Sequence, residues 1–294
     1  MANFIQRRNN QGYIYLIPWI IGFCTFSFYP LVMSFFYSFT NFSIGKKISF
    51  LGLQNYISAF TTDTEMLNSL GVTFKYVFMS VPMKLVFALF IAVILNMKVK
   101  GIKFFRTIYY LPSIMGGSVA VAILWRGIFA NNGTINLLLA LVHIKPIGWL
   151  TDSHFALFTI SLLSVWQFGS SMIIFLAALK QVPQELYESA SIDGMGAFGR
   201  FIFITIPLIS PMILFNLVMQ MINAFQEFTS PFVITNGGPM RSTNMYGLLL
   251  YQNGFKYFKM GYASALSWMM FIIIIFFTSL VIRSSSYWTF YSDE

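Results

Sequence analysis

The chain has 294 residues, of which 57% are hydrophobic and only 9% charged, at a mean hydropathy of +0.72; a soluble domain carries about 25% charged residues. This composition excludes a water-soluble globular protein and defines an integral membrane one, so the net charge of +9 is read as a sorting of cations across a bilayer and not as a nucleic-acid surface. The single cysteine, Cys24, lies in an apolar run, which leaves no internal disulfide and no thiolate metal site.

Arg7 and Arg8 precede an apolar stretch without a small-x-small cleavage site, which predicts an uncleaved first helix. Six apolar runs follow along the chain, at about 13–39, 70–96, 107–129, 154–179, 207–226 and 261–282. Each reaches the ~20 residues that cross about 30 Å of hydrocarbon as helix, and none alternates as a barrel strand would. The expectation is an all-α membrane protein of six transmembrane helices in one domain, 1–294. Pro18, Pro30, Pro82 and Pro112 mark expected kinks, and Ala88 and Ala92 are spaced for close helix packing.

Lysine and arginine in short loops set the orientation. With the N-terminus inside, Arg7, Arg8, Lys98, Lys100, Lys103, Arg106, Lys180, Arg200 and Arg283 are cytoplasmic; Lys46, Lys47, Lys145, Arg241, Lys256 and Lys259 fall on the other side. The bias is strongest in the compact loop NMKVKGIKFFR. Both termini are therefore expected in the cytoplasm, together with the loop 182–207.

That loop, VPQELYESASIDGMGAFGRFIFITIP, holds Glu185, Glu188 and Asp193, three of the nine acidic residues of the chain. Pro183 and an early carboxylate favour a helix start, because proline fits the first turn and the carboxylate complements the dipole. Leu186, Ala190 and Ile192 give it an apolar side, and Gly194 and Gly196 end it before a second helical run leads to Pro207. Gly194, Gly196 and Gly199 also spell GxGxxG, but no strand precedes them and no βαβ unit surrounds them, so a dinucleotide site is excluded. A short helix, a turn and a second helix make an element shaped to dock into a partner.

The loop resembles the cytoplasmic E-A-A loop of ABC-importer permeases: Glu188, Ser189 and Ala190, then Gly194, then Ile204, Ile206 and Pro207 keep its spacing, with Ser189 and Ile206 as departures from its residues. The likeness extends from Tyr13 onward to the maltose-type oligosaccharide permease family, through NMKVKGIKFFRTIYYLP, TNGGPMRST and GYASALS. It implies a type I importer permease fold in a bacterial cytoplasmic membrane. It also implies a second homologous permease subunit, two ATPase subunits that carry the ATP and magnesium, and an extracellular or periplasmic solute-binding protein that delivers a carbohydrate. The loop would then be the coupling element, with Glu185, Glu188, Ser189, Ala190, Asp193 and Gly194 at the ATPase and Glu188 paired with a base there. No GxxxxGK[ST] sequence occurs, so this chain binds no ATP in that manner and is not expected to be an enzyme. His143 and His154 have no neighbouring ligand types, and no metal site is expected.

Asn216, Gln220, Asn223 and Glu227 recur on one face of the fifth run. They line either a sugar path or a helix contact; the family resemblance favours the path. Lys84 lies near the middle of the second run, where an unpaired ammonium costs about 2.5–3.5 kcal/mol, and it should face inward. A carbonyl, the second permease, water or an anionic substrate could each be its partner, since no carboxylate is expected at that depth. With Lys75 and Arg126 it raises an acidic, uronate-containing oligosaccharide as a cargo. Trp166, Gln167, Ser267 and Trp268 are further candidates for the path, since indole faces stack on sugars, though packing or interfacial anchoring also explains a tryptophan. Gly237, Gly238 and Pro239 form a turn that could meet the binding protein or be simply a loop. An ion-coupled secondary transporter would need a midplane acidic pair or internal repeats, and a membrane enzyme a catalytic constellation; none is evident. A permease for a non-sugar polar solute stays open.

Overall fold

The computed structural model describes residues 11–97 and 101–290. Arg7, Arg8, Lys98 and Lys100 lie outside them. Among the described residues the chain is helical, with a single isolated bridge, Thr40 to Phe50. It divides into two compact units: the residues up to Thr64 with Leu250–Met270, and Glu65–Leu249 with the residues from Phe271 onward.

In the first unit, α1 (Gln11–Phe23) passes through a π-helical turn (Cys24–Phe28) into α2 (Tyr29–Ser38). Pro18 does not interrupt the helix. Pro30 is why it widens: proline offers no N–H, and its ring collides with the carbonyl four residues back. A single π turn shifts the register past that point, with Tyr29 N–H donating to Cys24 O. Behind α2, α3 (Gln54–Thr61) places the buried Asn55, whose amide donates to Ser38 O (2.8 Å) and Thr40 O (2.9 Å). Tyr262 donates to Asp63 (2.7 Å), and Trp268 Nε1 donates to Ser34 Oγ (3.2 Å) while packing edge-on against Phe35.

The second unit is built around α4 (Thr64–Asn96), a 33-residue helix that runs uninterrupted through Pro82. Ala88 and Ala92 are both fully buried, as close packing requires. The Arg106 guanidinium donates to Leu95 O (2.9 Å), satisfying one of the free carbonyls at the end of α4. Next come α5 (Ile102–Ile114), α6 (Val119–Ile128), α7 (Thr134–Leu141), α8 (Ser153–Trp166) and α9 (Gly169–Gln181). Here the structure departs from six straight spans. The run at 107–129 is two helices bent by 102°, and the run at 154–179 is two bent by 47°. Among the described residues, four helices are long and apolar enough to cross a membrane alone, which makes six spans if each bent pair counts as one. Apolar composition carried the expectation of continuity; Pro112, Gly116, Gly117 and Gly169 overrode it.

Past α9 come α10 (Gln184–Ile192) and α11 (Ala197–Arg200), a π turn (Phe201–Thr205) and α12 (Ile206–Phe225). The last three form one 29-residue helix, Ala197–Phe225, so the fifth span begins three turns before the expected 207. Pro207 does not start it. The π turn just before accommodates the missing donor, as at Pro30. Ser210 Oγ donates to Pro207 O (2.6 Å) and accepts the Phe290 N–H (2.8 Å), tying down the C-terminal end. The helices α13 (Tyr246–Tyr251) and α14 (Met260–Ser285) complete the chain.

Asn136 organises the segment between α6 and α8. Its amide nitrogen donates to Asn131 O and Ile147 O, and its oxygen accepts from Ile147 N and Trp149 Nε1, all at 2.9–3.1 Å. Before α13, Arg241 pairs with Glu65 at 2.7 Å. The Arg241 side chain is 60% exposed, and pairs of that kind contribute about 0.2–1 kcal/mol. Arg241→Ala is therefore expected to lower stability by less than about 1 kcal/mol, with a Glu65→Ala double-mutant cycle by thermal unfolding as the check. A larger coupling would show that this pair is desolvated.

Candidate functional site

The breaks in the two bent helix pairs face each other. Pro112 cannot donate in α5, and three residues later the chain leaves the helix through Met115–Ser118, with Gly117 at φ +66°. In the neighbouring pair, Gln167 and Phe168 separate α8 from α9. Backbone groups freed inside a membrane need partners or a wet cavity. Ser113 supplies the partners: its hydroxyl donates to Gln167 O (3.0 Å) and accepts the Ser170 N–H (3.1 Å). The contact is close because residue 169 has no side chain. A Cβ there would sit 2.6 Å from Tyr109 O and 2.8 Å from Tyr110 Cα.

The cavity at these breaks has a volume of about 510 Å³. Ser113, Gly116 and Gly117 line it from the first break, and Ser164, Gln167 and Ser170 from the second. Tyr76, Val81 and Lys84 come from α4, and Gln220, Asn223 and Glu227 from the end of α12 and the turn beyond. The wall is mostly hydroxyls and amides, which both donate and accept. Lys84 is its one cation and Glu227 its one carboxylate.

Of the residues proposed from the sequence for the path, Lys84, Gln167, Gln220, Asn223 and Glu227 meet here. Asn216 does not. It is fully buried one turn earlier, its amide donating to Met212 O (3.1 Å) while its Oδ1 has no partner among the described residues. Trp166 points elsewhere and packs on Trp125, at 6.1 Å between rings. Ser267 donates to Ala263 O (3.0 Å) and Trp268 bonds Ser34; both lie in the first unit. Lys75 and Arg126 are exposed and do not line the cavity.

The absence of a carboxylate near Lys84 was the wrong expectation. Glu227 lines the same cavity as Lys84 and Tyr76. Its position in the sequence hid this: α12 ends at Phe225, and Glu227 turns back so that its Oε1 accepts the Ser230 N–H (2.9 Å). Tyr76, Ser113, Ser164 and Ser170 were missed because isolated hydroxyls in apolar runs carry no periodic signal. The Gly116–Gly117 pair after Pro112 was the readable sign of the break.

The loop 182–207 has a well-defined local geometry. Gly194, at φ +80°, follows α10; Met195 N donates to Ala190 O (2.8 Å) and Gly194 N to Ser191 O (3.2 Å). This is the paired hydrogen-bond ending that a glycine in the left-handed region permits. Tyr187 Oη bonds Thr205 Oγ1 (2.8 Å) and Arg200 bonds Ser191, so α10 is braced against the helix that follows. Ala190 is the buried residue of α10, whereas Glu185, Glu188, Ser189 and Asp193 are exposed, beside Ile192 at 87% and Phe198 at 77%.

In the turn before α13, Gly237 is buried, and Gly238 and Pro239 are half-buried. Thr243 Oγ1 bonds both Gly238 O (2.6 Å) and Thr235 Oγ1 (2.7 Å). The exposed tip is Met240, at 92%, with Arg241 beside it.

A helical membrane protein with a polar cavity at broken spans is built as a permease. The model of the family described as "binding-protein-dependent transport system inner membrane component" matches residues 65–287, and the chain belongs to that family. It is 49% identical to the probable ABC transporter permease protein YesP of Bacillus subtilis, over 99% of this chain and 95% of that one. It is 31% identical to the arabinooligosaccharides transport system permease protein AraP of the same organism, over 93% and 88%. In fold it matches the crystal structure of a bacterial ABC transporter involved in the import of the acidic polysaccharide alginate, with a TM-score of 0.82 and 20% identity over 95% of this chain and 96% of that one. The type I permease fold and the ABC-permease class read from the sequence stand. The chain is a multi-pass inner-membrane permease subunit and not the enzyme of its transport system.

Proposed function

We propose that this subunit carries an oligosaccharide through the cavity between its broken spans, by alternating access, in an importer driven by ATP. The observation that carries this reading is the wall itself: Ser113, Ser164, Gln167, Gln220 and Asn223 around about 510 Å³ suit a polyol, which must exchange many water hydrogen bonds for equivalent ones. The arabinooligosaccharide system to which AraP belongs supports the same cargo class. Lys84, without a hydrogen-bond or ion-pair partner among the described residues, favours a second reading in which the sugar carries a uronate.

The family description, which names a binding-protein-dependent system, supports a solute-binding protein; the other parts of the importer rest on the likeness of the loop 182–207 to the E-A-A loop. A solute-binding protein delivers the sugar to the side bearing Gly237–Pro239, with Met240 as the exposed tip. A second, homologous permease chain completes the path. Two ATPase subunits bind ATP and magnesium, and α10 docks on one of them through Glu185, Glu188, Ser189 and Asp193. Lys103, Arg106, Lys180, Arg200 and Arg283 support a cytoplasmic location for that side and for both termini.

Each hydrogen bond lost from a binding wall is worth about 0.5–1.5 kcal/mol. Gln220→Ala with Asn223→Ala is therefore expected to raise KM for oligosaccharide uptake by roughly tenfold in proteoliposomes of the full assembly. Asn216→Ala, outside the cavity, should leave KM within about twofold. An unchanged KM in the double variant would remove the cavity from the path.

A further inference from the structure

Among the described residues, Lys84 and Glu227 are the only charged side chains on the cavity wall, and they are not in ion-pair contact with each other. Direct pairing would satisfy both. No such pair forms: Glu227 sits beyond the end of α12, with its Oε1 accepting the Ser230 N–H at 2.9 Å. Lys84, 9% exposed, belongs to the 33-residue α4, which also brings Tyr76 and Val81 to the wall. Each charge is carried by its own element, and both line the same cavity. A sugar in the cavity has both an ammonium donor and a carboxylate acceptor on its wall.

We infer that this held-apart pair is the charge filter of the permease: Lys84 admits an anionic sugar, Glu227 opposes it, and the two together set how far an acidic oligosaccharide is favoured over a neutral one. A sugar hydroxyl can satisfy both residues at once, accepting from Lys84 and donating to Glu227. A uronate is attracted by the first and repelled by the second, in a site where water screens neither well. The filter therefore acts on the ratio of affinities and not on sugar binding as such. It rests on the oligosaccharide reading above.

The test is equilibrium binding of two radiolabelled probes, neutral maltotriose and acidic trigalacturonate, to the purified assembly in detergent. Glu227→Gln keeps an oxygen for the Ser230 N–H, and Lys84→Gln removes the ammonium. The acidic-to-neutral affinity ratio should rise about tenfold in Glu227→Gln and fall about tenfold in Lys84→Gln, a factor that corresponds to about 1.4 kcal/mol. Lys84→Arg should leave it near the wild-type value and reports on the filter even if Glu227→Gln fails to assemble. A ratio unchanged within twofold in Lys84→Gln, with sugar still bound, would overturn the filter while leaving the oligosaccharide reading intact. Wild-type assembly that binds neither probe would overturn that reading and the filter with it.

Discussion

Gly169→Ala is expected to destabilise the permease by about 1–3 kcal/mol and to reduce oligosaccharide uptake at least tenfold, as overpacking of a close contact does. The added methyl would lie 2.6 Å from Tyr109 O, 2.8 Å from Tyr110 Cα and 2.9 Å from Ser113 Oγ. Two of these are backbone atoms of α5 and cannot rotate away. Relief requires separating α5 from α9, which breaks the Ser113 bonds to Gln167 O and Ser170 N–H and leaves those backbone groups unpaired in an apolar surround. Because the same contact positions Ser113, Gln167 and Ser170 on the cavity, stability and transport should fail together. Gly71→Ala is the control: the methyl meets nothing within 4 Å, and stability should stay within about 0.5 kcal/mol of wild type. Thermal unfolding in detergent and uptake in proteoliposomes read both effects. Wild-type unfolding and uptake in Gly169→Ala would disprove so close an approach of α5 and α9.

Glu188→Ala should separate the two properties. The side chain is exposed, and the loop is held by the Gly194 ending of α10 and the Tyr187–Thr205 bond, neither of which involves it. Stability of the permease should therefore stay within about 0.5 kcal/mol. Transport should not. If Glu188 becomes buried against a base on the ATPase, removing one partner costs about 3–5 kcal/mol, more than a hundredfold in docking. An exposed pair would cost at most about 1 kcal/mol. The prediction is a loss of sugar-stimulated ATP hydrolysis and of uptake by more than tenfold with an unaltered unfolding temperature. Near wild-type coupling would reduce Glu188 to a solvated surface charge.

Residue chemistry and spacing were enough for the local features. Long apolar runs dictated helices because a chain in lipid must satisfy its own backbone, and Pro183, Glu185 and the glycines at 194 and 196 dictated a short helix that ends at Gly194, whose φ of +80° is one that glycine adopts without strain. Gln220 and Asn223 were legible for the same reason, as helical periodicity needs no neighbours, whereas Glu227 lies past the end of that helix. What the sequence could not decide was where two runs would break and what would meet at the breaks. A proline or glycine in an apolar run is compatible with either a continuous or a broken helix, and only a partner such as Ser113, 54 residues from Gln167, makes the break stable. The meeting of Lys84 and Glu227 on one cavity wall, and the exclusion of Asn216 from it, likewise follow from how separate helices pack and end, so they belong to the tertiary structure alone.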